Sequence, residues 1–179
     1  MTTIHKFSMF DLLKFNNVNL DILTETFYTH FYGDYLVKWG EYCVTAEHVN
    51  GEMEGYILGK VEGAKDSESD KNWHGHVTAV TVAPAFRRKG LAQVLMKFLE
   101  DVTEKTHNGY FVDLFVRGSN SVAISFYKRL GYGIYRTVKK YYSGEEDALD
   151  MRKSMKRDPT KECMHTERNI IDPNELEFH

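Results

Sequence analysis

Two periods of hydrophobic and polar residues alternate along this chain. From Asp11 to about Trp39 the spacing is helical. Leu12, Leu13 and Phe15 lead to Leu20, and Leu23, Phe27, Phe31 and Tyr35 recur every four residues. Thr24 or Asp21 is a candidate cap for the second helical piece, and Gly33 and Gly40 are candidate breaks. A short strand over residues 3–7 precedes this region. From Tyr42 the period becomes two. Tyr42–Ala46 reads as a strand, Val49-Asn50-Gly51-Glu52 carries the Asn-Gly signal of a tight hairpin, and Met53–Val61 reads as the returning strand. Residues 63–72 are polar throughout and predict an exposed loop. A third strand runs from Trp73 or His74 to Val82 and ends at Ala83-Pro84.

The second half repeats the alternation of helix and strand. Gly90–Thr106 is the clearest helix, with Leu91, Val94, Leu95, Phe98, Leu99 and Val102 along one face. Tyr110–Val116 is nearly continuous in apolar character, as a buried strand is. Ser119–Leu130 predicts an amphipathic helix with Ser119 as its cap and Gly131 just past its end. Tyr132–Tyr142 and Leu149–Met155 return to strand character. Residues 156–179 hold six acids and four Lys/Arg, so residues 158–179 are expected to be a polar tail, flexible or docked on a partner. The pattern gives an α/β (α+β) domain over residues 1–157, a mixed sheet covered by about four helices.

Composition narrows the classes. The 179 residues suit one domain with a real core, and 11 Tyr, 11 Phe and 2 Trp argue against disorder. A net charge of -3 gives no basic field for nucleic acid or membrane surfaces. No apolar run is long enough to span a bilayer, and no apolar stretch follows Met1–Lys6, so no secretory signal is expected. Cys43 and Cys163 stand far apart, which allows neither a disulfide framework nor a zinc motif and points to a reducing, cytoplasmic setting. Cys43 reads as core packing.

Chemistry concentrates in two stretches. Val80-Thr81-Val82-Ala83-Pro84-Ala85-Phe86-Arg87-Arg88-Lys89-Gly90-Leu91-Ala92 runs from strand through a basic turn and a glycine into a helix. A helix start presents unpaired N–H groups and a positive dipole end, so with Arg87, Arg88 and Lys89 this is either a pyrophosphate site or an exposed basic turn. Asn120 then opens the next helix, and Tyr127 lies two turns along nearly the same face. Asn120 bonds a ligand amide or helps cap the helix, and Tyr127 is a site hydroxyl or a core aromatic. Other signals fail. Gly59, Gly63 and Lys65 do not fit a P-loop, and Asp66, Glu68 and Asp70 have Lys71 where a calcium loop needs glycine. His74 and His76, two apart on a strand, face the same way but have no evident third metal ligand, so no metal is expected.

Arg87-x-x-Gly90-x-Ala92 after a Val-rich strand resembles the acetyl-CoA signature of the GNAT acetyltransferase superfamily, and Asn120-x-x-Ala123-x-x-Phe126-Tyr127 resembles its second motif. Within that superfamily the chain is similar to the catalytic subunits of the N-terminal acetyltransferase B (NatB) complex. The segments that carry this likeness are Asn16–Asp21 with Leu23–Thr26, Trp73–Ala79, Phe111–Arg117, Tyr135–Val138 with Tyr141–Ser143, and Asp150–Lys153. The likeness covers residues 1–157 and weakens in the tail.

The resemblance implies a sheet whose middle strands, His74–Val82 and Tyr110–Val116, splay around acetyl-CoA. It implies that Val80 and Val82 meet the pantetheine arm, that backbone N–H groups of Arg88, Lys89, Gly90, Leu91 and Ala92 hold the pyrophosphate with Arg87 and Arg88 nearby, that Asn120 meets the pantetheine, and that Tyr127 lies near the thioester sulfur. The acceptor is then the α-amine of a nascent chain starting Met-Asp, Met-Glu, Met-Asn or Met-Gln. Its slot would be lined by Glu25, Phe27, Tyr28, His74, Gly75, His76, Thr78, Tyr141 and Tyr142, with Tyr127, His74 and Tyr141 as the catalytic candidates. Phe27 stands where the family suggests tyrosine, and Ile22 where it suggests proline. An α-amine, with a pKa near 7.7–8.0, is partly neutral at cytosolic pH, so no strong base is needed. Direct transfer is expected, because neither cysteine lies in a motif.

The resemblance also implies a large helical-repeat auxiliary subunit and visits to ribosomes. The aromatic region from Leu12 to Trp39 is either its docking face or core. Two other readings stand beside this one: the same fold acting on a lysine or a small amine, and a non-catalytic acetyl-CoA-binding module. The intact Arg87, Gly90, Ala92, Asn120 and Tyr127 speak against the last.

Overall fold

The aromatic helical stripe near the N-terminus folds into several short pieces. The computed structural model describes every residue except 23, 66–70, 167, 178 and 179. Leu23 of the predicted stripe and the calcium-like acids Asp66, Glu68 and Asp70 therefore lie outside the described residues. A 3-10 turn spans Met9–Leu13, α1 spans Asn16–Asn19, and α2 starts only at Thr29 and runs to Lys38. The predicted caps have other work. Asp21 pairs with Arg87, and Thr24 shares a 2.7 Å hydrogen bond with the Thr81 hydroxyl. The N-cap of α2 is Tyr28, with no side-chain cap. Gly33 does not break α2 but lies inside it, facing the Met9 side chain.

The strands follow the period-two pattern closely. They are β1 (Thr2–Lys6), β2 (Val44–His48), β3 (Met53–Glu62), β4 (His74–Val82), β5 (Phe111–Arg117), β6 (Gly133–Tyr142), β7 (Glu146–Ser154) and β8 (Ile170–Ile171). Helices α3 (Leu91–Lys105) and α4 (Ser121–Arg129) separate β4 from β5 and β5 from β6. The Asn50-Gly51 turn joins β2 to β3 with Gly51 at φ +85°, as expected.

The chain forms two compact units, residues 1–60 with 77–102, and residues 61–76 with 103–179. In the first, the strand order is β1-β2-β3-β4, with β1, β2 and β3 antiparallel. Its core gathers Phe7, Val18, Tyr32, Tyr35, Cys43, Met53, Tyr56 and Leu58 around the aromatic stripe, so that much of the stripe is core. The buried face of α3 is Leu95, Met96 and Leu99, rotated from the predicted one, and Val94 stays exposed. A polar chain is buried here too. Tyr56 donates to Asn19, Asn19 donates to the Tyr32 oxygen, and the Phe27 N–H donates to that same oxygen.

In the second unit the start of β4 is followed by β5, β7, β6 and β8. The β5–β7 and β6–β7 pairs are antiparallel, and β8 joins β6 in parallel. Helix α4 is capped by Asn120, whose Oδ1 accepts the Ala123 N–H, rather than by Ser119, whose hydroxyl and N–H go to Glu146. Gly131 ends it at φ +94°. The tail is not simply loose. Asp158 accepts the N–H groups of Glu162 and Cys163, Lys71 pairs with Glu162, and Ile171 and Leu176 are buried against Val138 and Ala148. The few apolar residues of this polar segment are too sparse to show as a sequence pattern, yet Ile170–Ile171 adds a strand beside β6.

Candidate active site

The basic turn of the first unit has the backbone of an anion cradle. Arg88 and Gly90 both take left-handed conformations, φ +64° and +83°, just before α3. A non-glycine residue in that region stores strain of about 1–3 kcal/mol, which recurs where backbone N–H groups must converge. The Gly90 carbonyl accepts the first helical bond, from the Val94 N–H at 3.2 Å. The N–H groups of Leu91 and Ala92 thus head the helix, where intrahelical partners are lacking. The side chains are arranged less simply. Arg87 is turned inward, its Nε on the Val82 carbonyl (2.9 Å) and its Nη2 on Asp21 (3.0 Å). Lys89 folds back onto the Ala85 carbonyl and the Phe86 ring. Arg88 remains exposed and Val80 half-buried.

Space around a Cβ at Gly90 is open, so only its φ resists substitution. Gly90→Ala should cost about 1–2 kcal/mol in the turn, and acetyl-CoA titration should show about 10-fold weaker binding with the melting temperature lowered by only a few degrees.

The acceptor segment of the resemblance lies in the same unit. Glu25 and Tyr28 are exposed, and Tyr28 stacks on His30. Phe27 is half-buried and stacked on Phe31 at 4.3 Å. Thr78 donates to the Tyr35 hydroxyl at 2.9 Å.

The second unit holds an ionic cluster that the sequence pattern did not single out. Asp113 of β5 is 5% exposed and accepts the His76 Nδ1–H at 2.8 Å, with His74 Nε2 at 3.6 Å from its other oxygen. Glu62 lies 3.8 Å from His74 Nε2. Burial would push the Asp113 carboxyl up, but the His74 and His76 imidazoles, the His76 hydrogen bond and Arg152 outweigh it and hold it well below the usual carboxylate range. An ionised Asp113 fixes the His76 tautomer with the proton on Nδ1 and the lone pair on Nε2. His74 is different in kind. It is 2% exposed, stacked on Phe111 at 4.4 Å, and holds the Asn72 carbonyl through Nδ1. Gly75 between them is buried. An acid inside the apolar run Phe111–Val116 was the available signal for Asp113.

From His76 a row of rings continues through Phe115 (5.7 Å) to Tyr141 (4.9 Å). Tyr142 turns away, packing on Val138, Ala148, Ile171 and Leu176 with Arg117 over its ring. A register shift between Val138 and Tyr142, with Lys140 at φ +50°, re-aims the pair. Tyr127 of α4 is half-buried beside Phe126 and Tyr132, and burial pushes its hydroxyl up to about 12. The Asn120 cap uses Oδ1 and leaves its amide N–H donors on the exposed side.

Neither thiol is activated. Burial pushes Cys43 up to about 11 and Cys163 up to about 12, so both stay protonated near neutral pH. Among the described residues, His5, Asp11 and Glu47 bring three possible metal ligands within 4.8 Å of one another. Their oxygens have protein partners: Asp11 accepts from Ser8, and Glu47 faces Lys14 at 3.2 Å. Among the described residues no helix is long and apolar enough to cross a membrane.

Residues 9–132 match the model of the Acetyltransferase (GNAT) family. The chain is 54% identical over 178 residues to the N-terminal acetyltransferase B complex catalytic subunit NAA20 of Arabidopsis thaliana, covering 99% of each chain. It superposes on the crystal structure of Chaetomium thermophilum Naa20 in complex with a bisubstrate analogue with a TM-score of 0.88, at 42% identity and over 96% of this chain and 97% of that one. A NatB acetyltransferase complex bound to CoA and MES gives a TM-score of 0.77 at 40% identity, over 86% of this chain and 99% of that one.

Proposed function

This chain belongs to the GNAT acetyltransferase family and is a catalytic subunit of the NatB type, an acetyl-CoA-dependent Nα-acetyltransferase; from that premise we propose how its residues divide the work. The observation that carries the assignment is the left-handed Arg88/Gly90 turn at the head of α3, inside the family match. The N–H groups from Arg88 to Ala92 hold the pyrophosphate of acetyl-CoA, and Val80, Val82 and Asn120 line the path of its pantetheine. Acceptors start Met-Asp, Met-Glu, Met-Asn or Met-Gln, and Glu25, Tyr28, Thr78, His76 and Tyr141 line their slot.

Transfer is direct. The neutral α-amine attacks the thioester carbonyl, the N–C bond forms and the C–S bond breaks. The amine proton passes to His76 Nε2, directly or through a water, and the leaving thiolate accepts a hydrogen bond from the Tyr127 hydroxyl before solvent protonates it. The Asp113–His76 geometry supports the first role, with His74 as a buried prop. Burial keeps the Tyr127 hydroxyl protonated near neutral pH, so it serves the thiolate as a hydrogen-bond donor, and solvent completes the protonation. Tyr127→Phe should lower kcat about 100-fold on a Met-Asp peptide while the acetyl-CoA KM stays within about two-fold.

The chain works as one subunit of a NatB complex. We assign its docking face for a large helical-repeat auxiliary subunit to the exposed Phe10, Leu13, Leu20 and Ile22, an apolar group on segments that otherwise pack inward. The assembled pair acts in the cytoplasm on nascent chains at ribosomes.

A further inference from the structure

Arg87 is the arginine of the acetyl-CoA signature, yet its guanidinium is aimed into its own unit. Nε holds the Val82 carbonyl at 2.9 Å, at the end of β4, and Nη2 holds Asp21 at 3.0 Å. Asp21 follows α1 and begins the segment that leads to Glu25, Phe27 and Tyr28. Its side chain is 11% exposed and that of Arg87 33%, so the pair is half-sheltered and is screened less than a fully exposed one. Two further ties fasten the same segment. The Thr24 and Thr81 hydroxyls bond at 2.7 Å, and the Phe27 N–H meets the Tyr32 oxygen at 3.3 Å. One of these ties reaches β4 directly, and the Asp21–Arg87 pair reaches the basic turn itself. Among the described residues between Asp21 and Tyr28 there is no strand or long helix, so such ties set where their side chains stand.

We propose that Asp21 is a positioning residue that, through Arg87, couples the placement of the acceptor segment to the acetyl-CoA turn. An anion seated on the N–H groups after Arg88 stiffens the turn, Arg87 then holds Asp21 in one place, and Glu25 and Tyr28 are presented in register. Coupling of this kind is reciprocal, so each ligand tightens the other. The inference rests on the reading of Glu25–Tyr28 as part of the acceptor slot.

The test uses the assembled complex, with CoA as the unreactive occupant and a Met-Asp peptide titrated in its presence and absence. The ratio of the two peptide dissociation constants measures the coupling. The expected ratio is about 10 in the unaltered protein, near 1 in Asp21→Asn, and largely kept in Asp21→Glu. The peptide KM should rise several-fold in Asp21→Asn, although Asp21 touches neither substrate in this scheme. Tyr28→Ala should weaken the peptide, more with CoA bound than without it, and so lower the ratio part of the way. An unchanged ratio in Asp21→Asn beside a weakened Tyr28→Ala overturns the tether alone. Unchanged peptide affinity in both Tyr28→Ala and Glu25→Gln removes the acceptor reading of this segment, and the proposal with it.

Discussion

Asp150→Ala should destabilise the protein by about 3–5 kcal/mol, the loss expected when one partner leaves a buried ionic group. Asp150 is 0% exposed on β7. Its Oδ2 accepts from Arg136 Nε at 3.0 Å and Arg152 Nη2 at 3.4 Å, and its Oδ1 accepts from Arg152 Nε at 3.4 Å. Burial raises its carboxyl pKa against the pull of the two guanidiniums. Removing the carboxylate leaves two guanidiniums, each 8% exposed, with no counter-charge between them. Arg152 is moreover fixed in place between Tyr135 at 3.5 Å and Phe111 at 4.4 Å, so it cannot swing to water at little cost. Because β7 lies between β5 and β6, the damage falls on the centre of the second unit. Thermal melting should show a fall of about 10 °C. Asp150→Asn, which keeps acceptor geometry, should lose less. A melting temperature unchanged in Asp150→Ala would mean that the arginines are satisfied elsewhere.

Asp113→Asn should lower kcat on a Met-Asp peptide about 100-fold at pH 7, the low end for loss of a positioned proton acceptor. The asparagine amide can donate to His76 Nδ1, which moves the imidazole proton to Nε2 and removes the lone pair from the side that meets the amine. The pH dependence separates this from general damage. His76 takes its proton after the amine attacks, and hydroxide can take that proton instead as pH rises, so the deficit should shrink at high pH if His76 supplies the base. A deficit constant across pH would assign Asp113 to structure only. Stability has its own sign. The folded pKa of Asp113 lies below its unfolded value, so its contribution is present above about pH 4 and is lost as pH falls further. The Asn variant should therefore show a weaker acid dependence of unfolding on the low-pH side.

What the sequence reveals depends on how local the cause is. The strands from Val44 to Ser154 were legible because burial leaves either an alternation, where one face is covered, or a continuous apolar run, as in β5, where both are. The Asn50-Gly51 hairpin and the Gly131 helix end were legible because a positive φ leaves a residue signature. The start of α2 was not. Asp21 and Thr24 are good caps in isolation, but Arg87 and Thr81, distant in sequence, claim their side chains. Ser119 lost the cap to Asn120 for the same reason, since Glu146 holds it. At the candidate site, the turn ahead of α3 was readable from strand, basic run and glycine. The inward aim of Arg87 was not, nor which of His74 and His76 is buried. Both histidines face the same way, as alternation predicts, but which is buried is decided by Asp113 and Phe111 on the neighbouring strand. Tyr141 and Tyr142 needed the bulge at Lys140 to be told apart.

The most direct measurement is acetyl transfer from acetyl-CoA to a panel of short peptides, by this chain with and without its auxiliary subunit. The panel holds Met-Asp, Met-Glu, Met-Asn, Met-Leu and Ser-Glu starts and one N-blocked peptide with a free lysine. Turnover confined to Met followed by Asp, Glu or Asn, strongest in the assembled complex, is the expected result. Turnover on the N-blocked lysine peptide, or on none of the peptides despite acetyl-CoA binding, would contradict it.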